Sequence, residues 1–301
     1  MIQRNDLVLL LVIVTSMAAG IAFPEQARFL QPYPLYLMMF QLFFTFIKIE
    51  FGEVFRNIGK NASLLFVLSL TKILLIPALL FFLTEALWPK YAIPVLLLSG
   101  ISTGVVAPFV ADLLGASMTP VLMMVVVSSL LVPFSLPALV SLLTGGTLDI
   151  SFLSMVKILF MVIFTPAACV VVMRRLIPSF LEKLQRVQFS LSLAFFALIN
   201  LGVFSKYSSY FLKNPIELAG TVLVAFALSI ACHLIGFLVT WGREKGERLA
   251  GAVSFSYLNG ILVIGFASQF FGPLAAALAV AYMLPFFVLI VPARIAGNLL
   301  K

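Results

Sequence analysis

The sequence predicts an all-α membrane protein with ten transmembrane helices, arranged as two inverted repeats of five helices. Composition is the first observation behind this fold class: the 301-residue chain is 63% hydrophobic and 10% charged, unlike a soluble domain. The second is a succession of ten apolar stretches, each near or above the roughly 20 residues that a spanning helix needs. The third is that the fourth stretch of each half is interrupted by residues that break helices.

The apolar stretches define the predicted helices in order. They lie at residues 7–23, 32–51, 62–88, 91–115, 119–143, 150–173, 189–212, 216–241, 248–270 and 273–297. The first stretch has the basic flank and small residues of a signal peptide, but we interpret it as a transmembrane helix because its removal would leave nine. Residues 1–143 then form the first five-helix repeat and residues 150–301 the second, with a basic loop at 174–186 between them.

Basic residues fall mostly on one side of the predicted membrane. Of the 19 Lys and Arg residues, thirteen lie on the side that holds both termini and four on the other. The positive-inside bias makes the richer side cytoplasmic. We therefore expect a multi-pass protein of the inner or plasma membrane, with the lipid bilayer as its surroundings and both termini in the cytoplasm. The net charge of +8 then reflects topology, and no nucleic-acid partner is expected.

The fourth and ninth stretches carry the candidate site. The fourth is interrupted between residues 102 and 108, and the ninth between residues 254 and 260. Paired broken helices at matching places in two inverted halves are typical of the binding site of a secondary transporter. The candidate residues for a substrate or ion site are Ser102, Thr103, Gly104, Ala107, Pro108, Ser254, Ser256, Asn259 and Gly260.

Both interruptions are predicted to lie at one depth. At 1.5 Å of helical rise per residue, Thr103 and Asn259 lie about 16–18 Å from the cytoplasmic face, close to the middle of a hydrocarbon core of about 30 Å. Two breaks at one depth can face each other, and their freed backbone groups must avoid lipid, which offers no hydrogen bonds. The alternative is that Gly and Pro only kink these helices.

Three ionisable residues in the apolar stretches are further candidates. Lys72 lies about 15 Å below the cytoplasmic face, where a charge costs about 3 kcal/mol. We predict a functional role for it; an uncharged amine or a structural pairing with a carbonyl is the alternative. His233 could relay protons or pack through a hydrogen bond. Asp112 lies one turn from the cytoplasmic end of its stretch, where contact with solvent or the interface is the simpler interpretation.

Signatures of catalysis and of cofactor binding are missing. The sequence has no H-E-x-x-H motif and no Gly-rich phosphate loop. Its one His and two Cys give no spacing for a zinc site or a disulfide framework. We therefore predict no catalytic residues, no metal site, no cofactor and no enzymatic activity.

Four motifs spread along the chain resemble those of one transporter family. They are Tyr36-Leu-Met-Met-Phe, Thr71-Lys-Ile-Leu-Leu-Ile-Pro77, Ser99-Gly-Ile-Ser-Thr-Gly-Val-Val-Ala-Pro108 and Phe255-Ser-Tyr-Leu-Asn-Gly260. Together they resemble the bile acid:sodium symporter family. The resemblance implies crossed broken helices 4 and 9, a core domain of helices 3–5 and 8–10, and a panel domain of helices 1, 2, 6 and 7. It also implies a symporter-like carrier of a small organic anion, either bile-acid- or sterol-like or a small carboxylate, that works by alternating access.

The chain departs from this family where the sodium ligands are expected. Ser254 and Leu258 stand in place of an acidic residue and a glutamine of the ninth helix, and Ala107 in place of an asparagine of the fourth. Lys72 replaces a glutamine of the third helix, and Asn259 is retained. Because a sodium site needs several oxygen ligands, we hypothesise that the Lys72 ammonium fills the space of the coupling cation. Proton-coupled or uncoupled transport is then expected in preference to Na⁺ coupling.

Two alternatives remain beside an organic-anion carrier. One is a carrier of the auxin-efflux type, which shares similar broken helices. The other is a membrane scaffold or sensor without transport, in which the two breaks would be packed dry. The candidates for lining a substrate pocket are Gln41, Thr45, Asn200 and Ser205.

Overall fold

A computed structural model of the chain describes residues 4–47, 49, 52, 56, 62–146 and 150–299. Throughout these residues the regular structure is helical, apart from one isolated antiparallel bridge. The α-helices are α1 (Arg4–Ala22), α2 (Pro34–Ile47), α3 (Ala62–Leu87), α4 (Ala92–Ser99), α5 (Ala107–Leu114), α6 (Met118–Leu143), α7 (Phe152–Leu176), α8 (Pro178–Lys206), α9 (Ser208–Lys213), α10 (Pro215–Val239), α11 (Lys245–Ser256), α12 (Gly260–Phe270), α13 (Pro273–Ala281), α14 (Met283–Val288) and α15 (Ile290–Leu299).

Five of the described helices are long and apolar enough to cross a membrane: α3, α6, α7, α8 and α10. The helix α2, the helix α12 and the segment Pro273–Phe286 are apolar but shorter. The all-α fold class is therefore confirmed. The count of ten spans, their inverted arrangement and the two repeats at 1–143 and 150–301 stay predictions.

The basic segment between the predicted repeats is helical, although a loop was expected there. Helix α7 runs to Leu176 and α8 begins at Pro178, so Ile177 alone joins them. Proline fits the first turn of a helix, where its missing N–H has no partner to lose. It also disfavours helical geometry in the preceding residue, and Ile177 is non-helical, with φ −141° and ψ 56°. The chain therefore turns at one residue.

Helix α3 contains one turn of π-helix, at Thr71–Leu75. The wide turn is closed by the Ile76 N–H, which donates to the Thr71 carbonyl five residues earlier. Pro77 follows directly and cannot donate a backbone hydrogen bond, so regular α-helical bonding is already weakened at this point. Such turns are frequent at functional sites, and this one carries Lys72.

Most helix contacts fall into two groups. In the first, α1, α2, α7 and α8 pack against one another; in the second, α3, α4, α6 and α10–α13 do so. Small residues allow close approach in the second group: a Cβ atom added to Gly251 would lie 2.5 Å from the Gly236 carbonyl oxygen. The groups meet in two places: helix α12 touches α2 and α8 of the first group, and α6 packs along α7.

Candidate functional site

The two broken segments meet each other. Thr103, between α4 and α5, forms an antiparallel bridge with Leu258, between α11 and α12. The Gly104 N–H donates to the Tyr257 carbonyl at 2.7 Å, and the Asn259 N–H donates to the Ser102 carbonyl at 2.9 Å. Each break thus satisfies backbone groups that the other leaves free, as a lipid environment requires. The prediction that the breaks face each other is confirmed.

Gly104 makes this close approach possible. A Cβ atom at this position would lie 2.7 Å from the Leu258 carbonyl oxygen and 2.9 Å from its carbonyl carbon. Both distances are too short for a methyl group, so any larger residue would push the two segments apart. Glycine is used here for backbone proximity.

The interruption of the ninth stretch is shorter than the sequence predicted, whereas that of the fourth is shifted by two residues. In the ninth stretch only residues 257–259 are non-helical, because Ser254 and Ser256 still belong to α11 and Gly260 already begins α12. The Asn259 side chain accepts a hydrogen bond from the Leu262 N–H at 3.4 Å and caps α12. A polar residue that was expected to break a helix thus also starts the next one.

Ala107 and Pro108 have the same starting role in the fourth stretch. They are the first two residues of α5, where proline is tolerated. The non-helical segment between α4 and α5 covers residues 100–106. The first turns of α5 and α12 therefore both begin at the crossing, and each offers the partial positive charge of a helix N-terminus.

Side chains close the crossing on both sides of Thr103. The Thr103 N–H donates to Ser128 Oγ at 2.9 Å, and the Thr103 hydroxyl donates to the Ser254 carbonyl at 2.8 Å. Ser102 and Ser254 are 0% exposed, and their hydroxyls have no hydrogen-bond partner in the part of the chain that is described. The crossing thus holds two buried hydroxyls that are free to bind something else.

Lys72 reaches the same place from α3. The side chain is 1% exposed, and its Nζ donates to the carbonyls of Ser99 at 2.9 Å and Ile101 at 3.0 Å. These carbonyls lie at the C-terminal end of α4, which carries partial negative charge. The ion pairs found among the described residues do not include Lys72. The geometry matches the pairing with carbonyls that the sequence left as the structural alternative, and it leaves a functional role untested.

His233 and Asp112, the secondary candidates, lie in different surroundings. His233 Nδ1 is 2.8 Å from the Ser229 carbonyl oxygen, and the ring meets Tyr257 edge-on with centroids 5.6 Å apart. Its Nε2 is buried without a partner among the described residues. Asp112 is exposed near the end of α5, away from the buried Lys72. His233 therefore contacts the crossing, whereas Asp112 does not share a site with Lys72.

The four candidates for pocket lining divide into two pairs. Asn200 Nδ2 donates to Ser16 Oγ at 3.2 Å and joins α8 to α1, whereas the Ser205 hydroxyl donates to the Gly202 carbonyl at 3.0 Å within α8. Gln41 is buried on α2 with no partner for its Oε1 in the described structure, and Thr45 lies one turn further along. The Asn200 Oδ1 likewise has no partner among the described residues, so contact of these residues with a solute stays a prediction.

Sequence reasoning missed several residues that hold the crossing. Ser128 on α6 was not singled out, because a serine in an apolar helix usually bonds to its own backbone. Tyr282 donates to the Ser256 carbonyl at 2.9 Å and Tyr257 to the Phe286 carbonyl at 3.1 Å. A tyrosine buried in an apolar stretch needs a partner for its hydroxyl, and this is the signal that could have found them. The described residues contain no group of three or more His, Cys, Asp or Glu that could hold a metal.

Comparison with known proteins places the chain in a family. A model of the sodium bile acid symporter family matches residues 32–214, which is more than half of the chain. The matched region includes Lys72 and the whole first break. A comparison with curated proteins gives no match. The apolar helices and this match together identify a multi-pass membrane protein of a transporter family. The chain belongs to the sodium bile acid symporter family.

Proposed function

We propose that this protein is a secondary transporter that carries a small organic anion by alternating access and does not depend on sodium. The observation that carries this proposal is the crossing, where the breaks of α4–α5 and α11–α12 pair at Thr103 and Leu258. Helix N-termini at a midplane crossing bind anionic groups in secondary transporters. A bile-acid- or sterol-like anion, or a small carboxylate, fits this family best.

The substrate is expected to meet hydrogen-bond donors and helix ends rather than the lysine. Lys72 is buried and already bonded to Ser99 and Ile101, so its ammonium has no face to offer an incoming anion. The side-chain amide of Asn259 and the N-terminal turns of α5 and α12 lie at the crossing and offer positive partial charge. Gln41 and Thr45 of α2 are further candidates for contact with the substrate.

Alternating access is supported by the two packing groups. Helices α1, α2, α7 and α8 correspond to the proposed panel, and the group of α3, α4, α6 and α10–α13 to the proposed core. Contacts of α12 with α2 and α8 join the groups beside the crossing, and α6 also packs along α7. A panel that separates from the core there, and closes at the other end, would expose the crossing to each side in turn.

Independence from sodium is supported by the carbonyls that Lys72 engages. Oxygen ligands are what Na⁺ needs, and backbone carbonyls of unwound helices supply them in other carriers. Here the Ser99 and Ile101 carbonyls point at an ammonium at 2.9 and 3.0 Å. A second cation at this place would be repelled. Transport is then either uncoupled or coupled to protons.

The test combines binding and uptake. Purified protein is screened by thermal shift against organic anions, with and without sodium, because a specific ligand raises the apparent stability. The best anion is then used for uptake into proteoliposomes, with a proton or a sodium gradient. We expect uptake that persists without sodium, fails in Lys72→Met and is unchanged in Lys213→Met, since Lys213 is exposed. Steep sodium dependence of the wild type would overturn the proposal.

A scaffold or sensor without transport is the second candidate. Burial favours it: Ser102, Thr103 and Ser254 are 0% exposed, so the crossing is packed in this conformation. A screen in which no anion stabilises or crosses the membrane, while the protein is folded, would favour this function. No specific observation favours the auxin-efflux type of carrier.

A further inference from the structure

The end of α8 is fastened to the end of α12 by two donors on one carbonyl. Lys206 Nζ and the Tyr207 hydroxyl each lie 3.1 Å from the Ser268 carbonyl oxygen. Ser268 is 4% exposed and lies in the last turn of α12. Carbonyls of a last helical turn have no partner within the helix and carry partial negative charge. Lys206 and Tyr207 therefore supply the hydrogen-bond donors that the Ser268 carbonyl would otherwise lack.

Apolar packing closes the same interface one turn away. A Cβ atom at Gly265 would lie 2.6 Å from Met38 Sδ, so α2 rests directly on the backbone of α12. The Ser268 hydroxyl in turn donates to the Gly265 carbonyl at 2.8 Å. Helices α2 and α8 therefore both press on the half of α12 that leads away from the crossing.

This interface joins the two packing groups. Lys206 is the last residue of α8 and Tyr207 comes directly after it, so both move with the first group. Helix α12 packs with the second group. The bonds to Ser268 span 62 and 61 positions of sequence, so they are not a local consequence of chain connection. If the groups move apart on this side, these bonds must break.

At the opposite end of the crossing, α5 packs on α6 and α11 of the second group, and two hydrogen bonds fasten this region. The Ser117 N–H donates to the Gly246 carbonyl at 2.9 Å, and Arg294 Nη2 donates to the Leu113 carbonyl at 2.8 Å. Both hold α5, α11 and α15 to one another. The bonds of Lys206 and Tyr207 to Ser268 lie at the end of α12 that the charge distribution predicts to be extracellular.

A cluster of Tyr210, Glu217 and Lys90 lies near Lys206 and Tyr207 in the sequence and at the start of α10. The Tyr210 hydroxyl donates to the Glu217 carboxylate, which also pairs with Lys90 Nζ at 2.9 Å. Tyr210 and Glu217 are only seven residues apart, across the turn that links α9 to α10. This cluster, named the pivot cluster, ties α9 to the first turn of α10 and includes none of Lys206, Tyr207 and Ser268.

We propose that Lys206, Tyr207 and the Ser268 carbonyl form an extracellular latch, whose closure keeps the protein shut on that side and whose opening exposes the α2–α12 interface. This inference rests on the proposed transport function. It does not need the identity of the substrate. Loss of a charged donor is expected to shift the open fraction about tenfold, and loss of a neutral one about fivefold.

A single reporter thiol tests the latch. Met38→Cys is placed in a background of Cys169→Ser and Cys232→Ala, since these are the two native cysteines. The rate of labelling by a membrane-impermeant maleimide is measured from outside right-side-out vesicles. We expect about tenfold faster labelling in Lys206→Met and about fivefold faster labelling in Tyr207→Phe.

Two control variants match the chemistry of the changes. Lys213→Met removes an exposed lysine of the same face, and Tyr210→Phe removes a hydroxyl from the pivot cluster; neither should speed labelling. Should Lys206→Met fail to fold, Tyr207→Phe carries the test, because it removes one oxygen atom.

Unchanged or slower labelling in Tyr207→Phe would overturn the latch. Labelling from the cytoplasmic side alone would overturn its extracellular position. Labelling is independent of uptake, so reporter proteins that label as expected, together with a wild type that carries no anion, would refute the proposed function and leave the latch standing.

Discussion

Replacing Lys72 by glutamine tests whether the ammonium holds the place of a cation. The Ser99 and Ile101 carbonyl oxygens, 2.9 and 3.0 Å from Nζ, would lose a charged donor. Each buried acceptor left without its donor costs about 1–3 kcal/mol, whereas removal of the buried charge returns about 3 kcal/mol. The two effects largely offset each other, and we expect a net destabilisation of about 1 kcal/mol.

Sodium gives the sharper readout of this substitution. In Lys72→Gln, two backbone carbonyls and the new amide oxygen are free to coordinate a cation that prefers oxygen ligands. A site with a Kd of about 15 mM, in about 150 mM sodium, would stabilise the protein by about 1.4 kcal/mol. That corresponds to a Tm rise of roughly 2–4 °C. The wild type should show no such rise, because the lysine already fills the position.

The assay compares melting of purified protein in sodium and potassium chloride at equal ionic strength. Lys213→Gln is the matched control, since it makes the same chemical change at an exposed position. A sodium-dependent rise of the wild-type Tm as large as that of Lys72→Gln would show that the ammonium does not occupy a cation position. A folded Lys72→Gln protein whose Tm is the same in sodium and potassium would show that these carbonyls do not form a cation position.

Three other predictions follow from single contacts. Gly104→Ala places a methyl group 2.7 Å from the Leu258 carbonyl oxygen, so we expect the crossing to open, a loss of about 1–3 kcal/mol, and a lower Tm. Ser128→Ala leaves one buried N–H of the first break without its acceptor and should lower the Tm by a similar free energy, whereas Ser128→Thr should restore it. The hydrogen bond to Glu217 raises the pKa of Lys90 above its ordinary 10.5. The pair with Glu217 therefore stabilises the folded protein below pH 10.5, and this stabilisation is lost as pH rises through the folded-state pKa of Lys90. The Tm difference between wild type and Lys90→Met should therefore stay constant from about pH 6 to about pH 10; a difference that disappears within this range would contradict the pairing.

Helix breaks and the buried lysine could be predicted because they stand out against their surroundings. Gly, Pro and polar residues are conspicuous in a stretch that is otherwise apolar, and helical rise alone gave Lys72 and Thr103 similar depths. The structure brings Lys72 to Ser99 and Ile101, directly beside the first break. The depth of a residue in the membrane can be estimated by counting along the sequence, because a spanning helix has a fixed rise per residue and must cross the bilayer.

Contacts made by backbone carbonyls could not be predicted in the same way. The Ser268 carbonyl accepts from Lys206 and Tyr207, and every residue carries such an acceptor, so no side chain marks the place. The two helices that meet at the non-helical Ile177 were missed for a related reason. Charge alone suggested a loop at residues 174–186, yet a polar helix can extend beyond the bilayer while keeping its backbone bonded.

The π turn of α3 ties the position of Lys72 to the length of the chain. A π turn contains one residue more than an α turn, and each residue rotates an α-helix by about 100°. Deleting one residue within Thr71–Leu75 would let the helix rewind, and Lys72 would then turn away from α4 unless the far half of α3 turned instead. A change of one residue in the length of α3 would therefore move Lys72 relative to the Ser99 and Ile101 carbonyls. The length of α3, as well as the identity of residue 72, determines the contact.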